Sequence, residues 1–194
     1  MLKRALFAAL VVMLLSTSTV LAAPAKIKVT NTAFTPTTKT VKVGKPTKWK
    51  NLSTKKHTAT PTVNWSWAGV DIPAGGASSP VIPTQSGSYP YFCALHPAAH
   101  SGTLAVSMIV SPLAAGTGAF FTITLGTVQA PGVSVHDVEA RKDGGAWQPR
   151  ATTATPTASF FFTQPGTYDI RSRLRWQLGG QTSGWSPIST VIVF

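Results

Sequence analysis

Gly87-Ser88-Tyr89-Pro90-Tyr91-Phe92-Cys93-Ala94-Leu95-His96-Pro97-Ala98-Ala99-His100-Ser101-Gly102 is the stretch on which the reading of this chain turns. Gly87 is a turn signal, residues 89–93 read as an aromatic-rich strand, and residues 102–110 read as the next strand. The loop between them holds one thiol and two imidazoles. Cys93 is the only cysteine among 194 residues, so no disulfide can close within the chain. No four-thiolate metal site can be built either. Stability must come from apolar cores.

Working outward, the pattern stays that of short strands. Upstream, residues 26–29, 39–43, 47–51 and 57–60 read as strands, and Thr40-Val41-Lys42-Val43 alternates apolar with polar. With 16 Gly, 15 Pro and only 11% charged residues, the chain is neither a disordered basic tail nor mostly helical. Residues 24–111 have the strand number of one β-sandwich. Residues 112–118, small and carrying Pro112, are the expected linker. Residues 119–194 repeat the strand signature at 119–125, 133–141, 158–163, 167–176 and 189–194, with turns at Asp143-Gly144-Gly145 and Pro165-Gly166. The expected fold class is all-β, with two sandwiches in series.

Residues 1–23 have the three parts of an export signal: Lys3 and Arg4, an apolar run over 5–15, and small residues Val20, Ala22 and Ala23. The apolar run is too short to span a bilayer, and no later segment approaches a span. The expected mature protein is soluble and secreted or periplasmic, without a transmembrane segment once the signal is removed.

His57 precedes the decisive stretch by a few strands, in Asn51-Leu52-Ser53-Thr54-Lys55-Lys56-His57. His57, Cys93 and His96 supply two imidazoles and one thiolate, the trigonal donor set of a blue copper site. A lone C-x-x-H would read as a buried thiol beside surface histidines. Here the flanking strands and the upstream histidine favour one copper ion cycling between Cu(I) and Cu(II). A thiol enzyme lacks an orienting acid, because Asp71 is the only carboxylate side chain over residues 24–111. An oxidase would need more imidazoles than the four histidines present, since His136 lies alone in the second half. The expectation is a carrier or binder, not an enzyme.

At this point residues 26–110 resemble the plastocyanin, amicyanin and pseudoazurin group of cupredoxins. The resemblance rests on Phe34-x-Pro36 with Val41-x-Val43-Gly44, on Trp49-x-Asn51 leading to His57-Thr58, on Gly75-Gly76, and on Gly87-x-Tyr89-x-Tyr91-x-Cys93-x-x-His96-Pro97. It implies a Greek-key sandwich with His57, Cys93 and His96 as copper ligands. It also implies electron exchange through the apolar surroundings of His96: Ala94, Leu95, Pro97, Ala98 and Ala99. Members of the group usually carry Met-x-Gly where this chain has His100-Ser101-Gly102. Three readings are open: His100 binds axially, a backbone carbonyl beside Ala99 takes the axial direction, or copper binds poorly. Residues 119–194 resemble a fibronectin type III domain, an immunoglobulin-like sandwich, through 135–141, Trp147, 165–173 and Ser183-Gly184-Trp185-Ser186-Pro187. In residues 168–176, alternation sends Arg171, Arg173 and Arg175 to one face, and a guanidinium stack on Trp185 is expected.

The net charge of +12 is concentrated: nine lysines lie between Lys26 and Lys56. They suit acidic redox partners or an anionic envelope surface. Export makes nucleic acid an improbable partner. The leading reading is an exported one-electron copper carrier. The alternatives are a copper sequestration or delivery protein and a metal-free adhesion protein.

Overall fold

The computed structural model describes residues 23–63, 65–98 and 100–194. Residues 1–22, nearly all of the expected export leader, and Ala99 lie outside the described residues. Among the described residues every regular element is a strand, and no helix is long and apolar enough to cross a membrane.

The first half contains β1 (Ala25–Val29), β2 (Phe34–Thr35), β3 (Thr38–Lys42), β4 (Thr47–Asn51), β5 (His57–Pro61), β6 (Val70–Ile72), β7 (Gly87–Phe92) and β8 (Ser101–Ser107). They form a three-stranded sheet, β2-β1-β4, and a five-stranded sheet, β3-β8-β7-β5-β6. Strand alternation explains the layering. In β1 and β4 it turns Ile27, Val29, Trp49 and Asn51 inward and Lys26, Lys28, Lys48 and Lys50 outward. Trp49 stacks on Trp67 at 5.2 Å, and Tyr91 meets Phe34, Trp49 and Trp67 edge-on at 4.8, 5.4 and 5.8 Å. Such aromatic pairs add about 0.5–1.5 kcal/mol each beyond area burial. Gly102, paired with Tyr91, leaves room for that ring, since a Cβ there would lie 2.6 Å from it.

The second half contains β9 (Ile109–Ser111), β10 (Ala114–Ala115), β11 (Phe120–Thr124), β12 (Ser134–Lys142), β13 (Gln148–Thr153), β14 (Thr157–Phe161), β15 (Gly166–Trp176) and β16 (Ser189–Val193). Its sheets are β14-β11-β9 and β10-β16-β15-β12-β13. Phe121, Ile123, Val138, Ile170 and Val191 belong to a separate core. The single strand expected over 102–110 is therefore broken. β8 ends at Ser107, Met108 is buried in the second core, and β9 pairs with β11. Apolar alternation runs through the break unchanged because both cores accept the same kind of side chain. The expected linker, 112–118, carries β10, which pairs with β16.

On β15, Tyr168, Ile170, Ser172 and Leu174 are buried while the arginines point outward. Arg171 and Arg173 lie 4.2 and 4.5 Å from the Trp185 ring, and Arg141 and Arg171 cover Trp147 at 4.6 and 4.0 Å. Each guanidinium also has an acid: Arg171 pairs with Glu139 at 2.7 Å, Arg175 with Asp137 at 2.8 Å, and Arg141 with Asp169 at 3.0 Å.

The halves meet at residues 84–88 and at Trp65, whose ring stacks on Trp176 at 6.3 Å. Ser88 and Gly184 exchange two backbone hydrogen bonds of 2.9 Å, and the Ser86 and Ser172 hydroxyls are 2.8 Å apart. Gly87, at φ 146°, has no space for a side chain, because a Cβ would lie 2.6 Å from Ser183 Oγ. Gln85 Nε2 donates to the carbonyls of Val128 and Gln129 at 3.1 Å, which turns Oε1 toward His136 Nε2 at 2.9 Å. His136 Nε2 is thus the donor, and its buried Nδ1 has no partner. Burial pushes the His136 pKa down to about 4, against an opposing pull from Asp137.

Unfolded, a histidine titrates near its ordinary value of about 6.5. The contribution of neutral His136 is therefore complete above about pH 6.5 and is lost as pH falls toward 4, by roughly 3 kcal/mol at most. We expect the stability difference between wild type and His136→Gln, measured by urea denaturation, to shrink by that order between pH 7 and pH 4. A pH-independent difference contradicts this.

Candidate metal centre

The register of β5 against β7 sets the site. Thr60 faces Phe92 and Pro61 faces Tyr91, so the chain beyond β7 passes the start of β5, where His57 sits. Cys93 follows directly and is fully buried. The Thr58 amide donates to Cys93 Sγ at 3.3 Å, and the Ala94 amide donates to Thr58 Oγ1 at 2.8 Å. The loop closes on itself: the Cys93 amide donates to the His100 carbonyl at 3.0 Å and the His96 amide to the Cys93 carbonyl at 3.1 Å.

All four side chains expected from the sequence converge here. Cys93 Sγ lies 3.7 Å from His57 Nδ1 and 3.6 Å from His96 Nδ1. Nitrogen donors of His57, His96 and His100 all lie within 4.8 Å of one another. Bonds of about 2.0 Å to nitrogen and about 2.3 Å to sulfur at a trigonal angle place the two ligand atoms about 3.7 Å apart. The sulfur-nitrogen spacings match that figure, so the residues fit a single ion that takes nitrogen and thiolate ligands.

The His57 tautomer follows from its neighbours. Asn51 Nδ2 donates to the carbonyls of Lys55 and Pro73 at 2.7 and 3.0 Å, and Oδ1 accepts from the Ser53 amide at 2.8 Å. Ser53 Oγ is within reach of two pure acceptors, Asn51 Oδ1 at 2.8 Å and the Lys55 carbonyl at 3.1 Å, so its proton is committed. It therefore accepts from His57 Nε2, 2.9 Å away, leaving the Nδ1 lone pair facing Cys93. Burial lowers the His57 pKa, and His100, His96 and Lys55 push the same way, which keeps the ring neutral. Neutral imidazole is the ligating form.

His96 is half-buried, and its loop neighbours Ala94, Leu95, Pro97 and Ala98 are exposed, Leu95 by 52%. His100 is buried behind it, with Nε2 3.0 Å from the Thr30 carbonyl. Sequence reasoning did not single out Ser53, Thr30 or the Thr58 amide. Ser53 alone had a local signal, the Asn51-Leu52-Ser53 turn pattern.

The sequence matches the model of the cupredoxin-like domain family over residues 4–106. No curated protein matches the chain. Among solved structures, amicyanin from Paracoccus versutus (Thiobacillus versutus) is 21% identical, with 44% of this chain and 83% of that chain covered at a TM-score of 0.39. A reduced amicyanin mutant is 19% identical, with 46% and 87% covered at a TM-score of 0.40. A Cu(I) form of another amicyanin mutant is 22% identical, with 43% and 82% covered at a TM-score of 0.38.

Ser53→Ala removes the acceptor for His57 Nε2 and leaves a buried donor unpaired, costing about 1–3 kcal/mol. We expect the variant to bind Cu(II) roughly 10–100-fold more weakly in a competition titration. Unchanged affinity and stability would show that Ser53 does not orient the ring.

Proposed function

Because the chain belongs to the family of cupredoxin-like domains, we propose that it binds one copper ion and carries single electrons between protein partners outside the cytoplasm. The observation that carries this reading is Cys93 Sγ set 3.7 and 3.6 Å from His57 Nδ1 and His96 Nδ1. His57, Cys93 and His96 would hold the ion, which supplies a one-electron couple when bound. Around it the chain keeps the His57 imidazole neutral and oriented through Ser53, and the strands hold the donors in place. The half-buried His96 edge, ringed by Leu95, Pro97 and Ala98, is the proposed contact for brief docking.

The lysines support a view of the partners. In the parallel β1–β4 pair, Lys26 stands beside Lys48 and Lys28 beside Lys50. Like charges side by side are destabilising. Among the described residues, the one ion pair of the first half joins Lys56 and Asp71. An acidic redox partner or an anionic envelope surface would relieve this repulsion. Binding to phosphatidylglycerol vesicles should be stronger than to phosphatidylcholine vesicles and fall with added salt. Lys28→Glu with Lys48→Glu should remove it, and equal binding to both vesicle types argues for a protein partner alone.

The second sandwich is read as fibronectin type III-like, on the strength of its alternation and its arginine-tryptophan stack, and as a spacer or docking module. Four of its five arginines are paired with Glu139, Asp137 and Asp169, Arg173 and Arg175 sharing Asp137. Copper sequestration or delivery is the second reading, favoured by the four donors gathered in one place. The intact donor set disfavours a metal-free adhesion role.

Copper titration should give one equivalent bound, a visible thiolate-to-copper band and a reversible one-electron wave. Cys93→Ser should abolish the band. Binding without a reversible wave supports sequestration, and no binding at stoichiometric copper overturns both metal readings.

A further inference from the structure

We propose that His100 is a fourth, strong ligand, so that the centre is a closed cage of three imidazoles and one thiolate. The inference rests on the metal-binding reading above and concerns what kind of ion and redox couple the cage favours.

His100 is 1% exposed, and its ring is held on both sides. Its Nε2 lies 3.0 Å from the Thr30 carbonyl, which can only accept, so Nε2 carries the proton. The lone pair is therefore on Nδ1, which is buried without a hydrogen-bond partner. Leaving such a group unpaired costs about 1–3 kcal/mol. The ring packs edge-on against Phe34 at 5.7 Å and lies 4.6 Å from the His57 ring and 5.8 Å from the His96 ring, centre to centre. Its amide donates to the His96 carbonyl at 3.3 Å, so backbone and side chain are both tied to the cluster.

An orphaned nitrogen alone would not make a ligand. His136 Nδ1 is equally orphaned, yet His136 belongs to no group of metal-ligating side chains among the described residues. At His100 the orphan is joined by convergence, since one nitrogen of the same ring lies within 4.8 Å of a nitrogen of His57 and of His96. A buried lone pair on a ring packed against two other imidazole donors is placed to bind the ion they bind.

Imidazole in place of a long thioether contact changes the chemistry. Nitrogen is a harder donor than thioether sulfur, so it stabilises Cu(II) relative to Cu(I) and lowers the reduction potential. A nitrogen-rich four-donor set with one thiolate also suits the tetrahedral preference of Zn(II). The cage should hold divalent ions more tightly than a three-ligand site with an open or weak fourth position.

The test compares wild type with His100→Met and His100→Ala, each checked for a native unfolding transition. Zn(II) affinity, read by competition with a chelating dye, is independent of any redox chemistry. We expect at least about a tenfold loss in both variants. In the copper-loaded proteins, His100→Met should raise the potential and shift the thiolate band to longer wavelength. Zn(II) affinity, band and potential all unchanged would make His100 a bystander and overturn the inference while leaving the carrier reading intact. A wild type that loses Zn(II) affinity on mutation but shows no reversible copper wave would support the cage and overturn the carrier.

Discussion

The buried amide of Asn51 is the constraint on which the donor cluster at one end of the first sandwich depends. It stands at the end of β4, donates to the Lys55 and Pro73 carbonyls and accepts from Ser53. One side chain therefore ties the edge of one sheet to the loop before β5 and to the chain leaving β6. His57 is oriented through Ser53 only because that loop is held. A buried polar network of this kind is stabilising when every member is satisfied and costly when one is not. The centre is thus built into the core and is not laid on its surface. Cys93 and Asn51 are both fully buried, and the aromatic packing of Trp49 and Tyr91 lies immediately behind them.

What could be read from the sequence was what local spacing carries. Cys93 and His96 share a loop, Gly87 and Gly102 punctuate the strands on either side, and His57 begins a strand of its own. Alternation was enough to place Arg171, Arg173 and Arg175 on one face. Contacts across long stretches of chain left no such trace. The Thr30 carbonyl reaches His100 across 70 residues, and Gln85 reaches His136 across 51. Neither Thr30 nor Gln85 belongs to a pattern. The changeover at Met108 was hidden for the opposite reason: a regular apolar alternation continued through it, and periodicity cannot say which core a side chain enters. Trp147 follows a glycine turn, and nothing local in the sequence marks the two arginines that cover it.

β7 connects the junction between the halves to the donor cluster. At one end, residues 84–88 carry contacts to the second half; at the other, the chain delivers Cys93 to the donor cluster. Six residues of strand separate Gly87 from Cys93, about 20 Å at the usual rise. The sandwich docked at the near end therefore leaves the loop from Ala94 to Ala98 exposed. A module attached beside the loop from Ala94 to Ala98 would have covered His96 and closed the one half-buried edge of the cluster. Attachment at the far end does the reverse and keeps that edge free. The junction is tied by the Ser88–Gly184 exchange and by close packing at Gly87.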